Sequence, residues 1–334
     1  MMYDKEMLKH VLSAYGPSGR EETASEVIKS YVAPYADEVY NDRLGNLIAV
    51  KKGTSGKKIM FSAHMDQIGL CVVDIDEKGF LRVTNVGGVN PIISIAREVV
   101  FKNGTRGVTF FETEKGAKET TMATLFVDIG CESYEEAAAK VDIGDMCIFA
   151  GNFVEMGNKI SSPYMDDRIA CAALIEAFRT MKSEHDVYAV FTVQEEVGLR
   201  GAGPAAFAIE PDINISCDVC GMGDIPNCVR MSVKLGEGAT VKAMDSSVIV
   251  PVKVREFLKN AADKRGIKWQ NEILRSGGTD TGAAQRAGKG TFSGCVSIPT
   301  RYIHAPIETI DVRDYEAAVA LLRAAAEEKE LPRV

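Results

Sequence analysis

The chain has 334 residues and a formal net charge of −8, with 46% of residues hydrophobic and 26% charged. This is ordinary globular composition, long enough for one large core and a smaller one, and it argues against a nucleic-acid backbone as partner. The sequence opens on Met1 without a charged-then-apolar leader and contains no run of about 18 apolar residues, so a cytoplasmic protein that enters no membrane is expected.

The first forty residues read as helical, with Ser18 as an N-cap and Glu21 completing a capping box. Residues 46–52 (NLIAVKK) and 58–63 (KIMFSA) follow as short apolar strands across a Gly/Ser turn. From residue 68 to 158 the texture changes to strand-like pieces (LCVVDI, FLRVTN, REVVFK, GVTFF, TLFVDI) between Gly, Asn and charged turns, with one helix over 134–141. From Asp166 onward helices and strands alternate. Helices are predicted over 166–181, 251–264, 279–287 and 312–328, with a short one after VYAVFTV. Strands are predicted at VYAVFTV, INISCDV, KWQNEIL and CVSIP. Such alternation predicts an α/β fold with a mostly parallel sheet flanked by helices. The expected organisation is one domain formed by residues 1–67 plus 159–334, with a small β-rich domain, 68–158, inserted.

Eight cysteines lie among apolar neighbours, as free thiols in a reducing compartment would. Cys217-Asp-Val-Cys220 has the spacing of a zinc site. No second pair accompanies it and only Cys228 could add a ligand, so small buried side chains near a strand end are the better reading.

Four histidines are present. His10 in a surface-type helix and His185 in the polar turn Lys-Ser-Glu-His-Asp read as solvated. His64 and His304 each close an apolar strand, where open α/β sheets hold their ligands. In Ser62-Ala-His64-Met-Asp66 the residues two apart share a side, so Asp66 can support the His64 ring from behind a metal. Asp166-Asp167-Arg168 opens a helix; adjacent side chains diverge, so one carboxylate can ligate while the other holds Arg168 or a backbone N–H. Glu195-Glu196 follows a buried strand, where consecutive carboxylates are costly unless paired or metal-bound. One of them can ligate and the other can take a proton from water. Asp218 closes the next strand, as a ligand or a helix cap. Two imidazoles and three ligating carboxylates suit two borderline divalent cations, zinc or cobalt, provided one carboxylate bridges. With one hydroxide, three carboxylates also balance the charge of such a pair.

The runs Ala63-His-Met-Asp-Gln-Ile-Gly69, Asp166-Asp-Arg168, Glu195-Glu-Val-Gly-Leu-Arg-Gly201, Gly277-Gly-Thr-Asp280 and Ile298-Pro-Thr-Arg-Tyr-Ile-His304 resemble, in order and over nearly the whole chain, the tetrahedral metallo-aminopeptidases, which include glutamyl and deblocking aminopeptidases. The resemblance implies that Asp166 bridges two metals, that His64 and Asp218 complete one site and Glu196 and His304 the other, and that Glu195 is the general base. It implies short peptide substrates, a dimerisation role for the inserted segment, and dimers that assemble into a tetrahedral dodecamer. The segment Gly107-Val-Thr-Phe-Phe-Glu-Thr-Glu-Lys-Gly116 departs from the Gly-Val-Ile-Gly turn and Pro/His loop of relatives, and the loop after His304 reads Ala-Pro. Thr279 and Asp280 are further candidates for lining the substrate site. Competing readings are a dinuclear deacylase or carboxypeptidase-like enzyme, a glycoside hydrolase using Glu195 and Glu196, and a non-catalytic shell protein. The hundred or so residues between His64 and Asp166 favour the aminopeptidase over the first. The second leaves both histidines without a role.

Overall fold

The computed structural model describes residues 3–332. Two amphipathic helices, α1 (Lys5–Ser13) and α2 (Glu22–Val32), lead into β1 (Glu38–Asn41), β2 (Leu47–Lys51) and β3 (Lys58–His64). The expected capping box is absent. Glu21 occupies the N-cap of α2 without a side-chain cap bond, and Ser18 donates its hydroxyl to Asp66 instead. Nor is the region helical throughout: exposed β1 had gone unread because Glu38-Val-Tyr-Asn is too short and polar to signal a strand.

The next six strands close on themselves: β4 (Gly69–Ile75), β5 (Leu81–Val86), β6 (Glu98–Phe101), β7 (Arg106–Phe111), β8 (Leu125–Asp128) and β9 (Met146–Phe149). They form a barrel in the order β4-β5-β8-β7-β6-β9, closed by pairing of β9 with β4. Closure satisfies every strand edge, and alternation places Leu70, Val72, Val99, Phe101 and Val127 inside. Helix α3 (Tyr134–Ala138), capped by Ser133, is shorter than expected. The segment that departs from relatives forms β7 and the turn beyond it.

The chain then returns through β10 (Val154–Met156) and β11 (Lys159–Ser162) to α4 (Met165–Thr180). The remaining elements are β12 (Asp186–Thr192), α5 (Ala202–Ile209), β13 (Ile213–Cys220), β14 (Ala239–Met244), α6 (Val252–Asp263), β15 (Trp269–Ile273), α7 (Asp280–Gln285), β16 (Phe292–Arg301), β17 (Glu308–Asp311) and α8 (Val312–Ala326). The sheet runs β1-β2-β12-β3-β13-β16-β17-β11-β10, with β14 against β16 and β15 against β14. β10, expected in the inserted segment, pairs with β11 in this large sheet. The sheet is also mixed rather than mostly parallel. β12, β3, β13 and β16 are parallel neighbours, while β1, β2, β17, β11 and β10 extend both flanks antiparallel.

Alternation explains the layers. Leu47 and Ala49 of β2 join one core with α4 and α8, whereas Ile48 and Val50 join another with α5 and α7. With both faces covered, β13 is buried at every residue. Among the described residues no helix is long and apolar enough to cross a membrane.

Candidate metal centre

Because β12, β3, β13 and β16 run in one direction, their C-terminal ends open on a single edge of the sheet. His64 ends β3, Glu195 and Glu196 follow β12, Asp218 lies near the end of β13, and His304 follows β16. Asp166 reaches the same edge at the start of α4, where it and Asp167 have non-helical φ/ψ. All six candidates line one cavity of about 690 Å³. Left-handed backbone at Tyr164, Gln194, Tyr302 and His304, none of them glycine, surrounds them. Each such residue stores on the order of 1–3 kcal/mol that the neighbouring structure must offset.

Asp166 stands between the two imidazoles. Its Oδ1 is 3.0 Å from His64 Nε2 and its Oδ2 is 3.2 Å from His304 Nε2. Glu196 Oε2 lies 3.1 Å from the same His304 nitrogen. Two groups of donor atoms result, each within 4.8 Å: His64, Asp166, Asp167 and Asp218 in one, and Asp166, Glu196 and His304 in the other. Asp166 alone belongs to both. Glu195 is in neither, with its Oε2 3.9 Å from His64 Nε2.

A second layer of bonds holds these groups. Asp66 is fully buried, accepts from Ser18 Oγ (2.6 Å), Glu195 N (3.0 Å) and Glu196 N (3.2 Å), and lies 3.3 Å from His64 Nδ1. Its place beside the His64 ring is the one expected from the two-residue spacing. Asp167 Oδ2 accepts from the His64 backbone N–H at 3.1 Å, one of the alternatives read for the non-bridging carboxylate. Arg168 turns away to Val11 O, Ala14 O and Gln67 Oε1.

Three supporting residues were not found from the sequence. Glu308 accepts from Asp166 N (2.8 Å) and from His304 N (2.7 Å), joining the two loops. Glu21 accepts from Gly19 N and, at 3.1 Å, from Gln194 N just before the glutamate pair. Gly88, in the loop after β5 of the barrel, accepts from His304 Nδ1 at 3.1 Å. The doublet Gly87-Gly88 was the available signal, since a close backbone approach calls for glycine.

The electrostatics follow from crowding carboxylates in a dry site. Burial and the neighbouring Asp218 and Glu196 push Glu195 well above the usual carboxyl range, despite the opposing influence of His64. Burial and nearby Asp166 similarly raise Asp218. Burial would lower His304, but its bonds to Asp166 and Glu196 outweigh that and push it up to about 12. Asp167 Oδ1 and Glu196 Oε1 are buried without a hydrogen-bond partner. Imidazole nitrogens and unpartnered carboxylate oxygens around a shared aspartate fit divalent cations, which would replace protons as the positive partner.

Other candidates fall elsewhere. Thr279 and Asp280 are almost fully buried and are not among the cavity-lining residues: Thr279 Oγ1 donates to Asp245 Oδ2 (3.0 Å), and Asp280 Oδ2 accepts from Thr192 Oγ1 (2.5 Å). Gly277 and Gly278 form the wall in front of them. Cys217 and Cys220 are buried three residues apart on β13 and so face opposite sides. His10 is exposed, as read, but His185 is not solvated. It is buried between Ser55 Oγ and the carbonyl of Glu328, a partner 143 residues away that no local pattern could reveal.

The sequence matches the M42 glutamyl aminopeptidase family over residues 45–321. A relative from Acetivibrio thermocellus, provisionally named an aminopeptidase, is 45% identical over 96% of this chain and 97% of its own. Lysyl aminopeptidase from Pyrococcus furiosus is 37% identical over 98% of both chains. Among solved structures, the Pyrococcus horikoshii TET1 peptidase, which can assemble into a tetrahedron or a large octahedral shell, has a TM-score of 0.87 and 33% identity. It covers 97% of this chain and 99% of that one.

Proposed function

The chain belongs to the M42 glutamyl aminopeptidase family of metal-dependent peptidases, and from that premise we propose that it removes the first residue of short peptides at a pair of divalent cations. Asp166 would bridge the pair, His64 and Asp218 would complete one cation's protein ligands, and Glu196 and His304 the other's. The observation that carries this reading is the position of Asp166, whose two oxygens face the two histidines at 3.0 and 3.2 Å. Mixed nitrogen and oxygen donors favour zinc or cobalt.

Bound divalent cations acidify water and stabilise the charge that develops on an attacked carbonyl oxygen. Glu195, outside both donor groups, takes the proton of the attacking water and returns it to the leaving amine. Burial and the neighbouring carboxylates raise its carboxyl, which suits a group that must alternate between protonated and ionised forms. Asp66, 3.3 Å from His64 Nδ1, supplies a carboxylate behind that ring and, by holding both backbone N–H groups, orients the Glu195–Glu196 pair.

The shell-forming TET1 relative supports a homo-oligomer here, with the inserted barrel, residues 69–149, as the assembly domain and dimers building a tetrahedral dodecamer. Native mass tests that part. Eight unpaired cysteines support a reducing, cytoplasmic location.

The catalytic assignment is tested with two variants. Glu195→Gln should lose turnover by about 10²-fold or more with both cations retained, and His304→Ala should bind about one cation fewer per chain. Full activity in the first, or full metal content in the second, overturns the assignment. On a peptide with an acetylated N-terminus, release of acetate with the first residue left in place would favour a deacylase over an aminopeptidase.

A further inference from the structure

Beyond the cation end, the cavity has a second half whose chemistry bears on substrate choice. Its wall includes Leu199, Val219, Leu274 and Ile303, together with Ser246 and Ser247. Apart from the cation-centre residues named above, every described side chain that lines the cavity is uncharged.

Ser246 and Ser247 of this wall are already engaged, while Ser276 leaves a neutral hydroxyl at the cavity. Ser246 donates its hydroxyl to the carbonyl of Gly277. Ser247 Oγ donates to Asp245 Oδ1 at 2.8 Å and accepts from Thr279 N at 3.3 Å. Asp245 also accepts from the backbone N–H groups of Ser247 (2.7 Å) and Val248 (3.0 Å) and from Thr279 Oγ1. Thus Thr279 braces the cavity wall from behind.

A cation does lie behind this turn, but it is already paired. Lys242 is fully buried, with its Nζ 2.6 Å from Glu272 Oε1 and 3.2 Å from Asp245 Oδ2. Glu272 in turn accepts from Thr240 Oγ1 at 2.5 Å. Neither the ammonium nor the two carboxylates reaches the cavity surface, so none can serve as a counter-ion for a bound side chain.

Resting on the aminopeptidase reading, we propose that this half of the cavity receives the side chain of the first residue and selects an uncharged one, apolar or small polar. A Lys or Arg head would leave water for a wall with no partner carboxylate, and a Glu or Asp head would find no cation other than those of the centre. Burying an unpaired charge is far costlier than burying its neutral isostere.

The test compares first residues of matched shape on a chromogenic amide, using the metal-loaded full-length protein. Norleucyl and methionyl substrates should be cleaved with kcat/KM about 10²-fold above lysyl and glutamyl ones, the scale on which apolar pockets discriminate. Equal or faster cleavage of the lysyl or glutamyl substrate overturns the proposal. Failure on every substrate overturns the aminopeptidase reading instead. Leu274→Asp, checked for wild-type metal content, should raise the lysyl-to-norleucyl ratio about tenfold or more by supplying the missing carboxylate. An unchanged ratio in that variant overturns the assignment of this wall to the first side chain.

Discussion

Adding one methyl group at Gly88 should disable one cation site and leave its neighbour intact. A Cβ at this position would stand 2.7 Å from His304 Cε1 and closer still to Nδ1. Non-bonded carbon contacts settle near 3.5–4 Å, so the imidazole must withdraw by roughly 1 Å. The backbone of Gly88 lies outside the left-handed region, so alanine is conformationally acceptable and the collision is the main effect. Ligand distances tolerate only about 0.2 Å. A ring displaced that far also loses its bond to the Gly88 carbonyl. Gly88→Ala should therefore weaken the cation held by Glu196 and His304 by about 10–100-fold or more, that is roughly 1.4–2.7 kcal/mol. The cation held by His64 and Asp218 should keep its affinity. Calorimetric titration of the chelated protein separates the two events. Two unchanged affinities in Gly88→Ala would refute both the role of His304 and the idea that the barrel loop helps to hold it.

Three further outcomes follow from the same geometry. Asp66→Asn exchanges one acceptor oxygen for a donor where three donors and the His64 ring converge, so one buried N–H or O–H loses its partner. Chemical denaturation of the chelated variant should show a loss of about 1–3 kcal/mol, and an unchanged midpoint would count against the network. Glu21→Ala strips the acceptor from Gln194 N and lets the glutamate loop drift, lowering kcat by about 10²-fold with little change in KM. Glu21→Gln should stay near wild type, since burial already pushes the Glu21 carboxyl up to about 7. Wild-type kcat in the alanine variant would dismiss this positioning role. Finally, both His64 and His304 lie above their ordinary range in the cation-free protein. The His304 contribution to stability is fully present below its unfolded value near 6.5 and is lost only as pH rises through about 12. At neutral pH, cation binding must displace the proton from each imidazole, so affinity should fall as pH is lowered. Titration in buffers of different ionisation enthalpy should detect that release, and its absence would contradict the ligand set.

Much of this candidate centre was legible because its residues, Asp166 at the start of α4 apart, sit at or just beyond the ends of apolar runs. His64, Asp218 and the Glu195–Glu196 pair follow strands whose burial is written in their composition, and one-directional neighbours carry those ends to a common edge. Beyond Asp66 and Asp167, the supporting contacts were not legible, because they join residues far apart in the chain by backbone groups. Glu308 holds Asp166 N from 142 residues away, and Glu21 holds Gln194 N from 173. The same limitation hid His185 and turned Ser18 and Glu21 into an expected cap, since side chains that can satisfy a helix end can equally satisfy a distant carboxylate or N–H. The sheet was read as mostly parallel because the βαβ rhythm marks only its centre; β1, β10, β11 and β17 have four residues or fewer and carry little pattern of their own.

The insertion point acquires a physical meaning from these contacts. The barrel leaves the large sheet just after His64 and Asp66, and the chain re-enters at β10, shortly before Asp166. Its β5–β6 loop folds back so that Gly87 backs onto Glu196 and Gly88 onto His304. A module that served assembly alone could be tethered anywhere on the surface. One that brings backbone against both candidate ligands of a single cation links the order of that site to the order of the barrel. Changes that loosen the barrel should therefore weaken the Glu196–His304 site before the His64–Asp218 site, even when they lie far from either histidine.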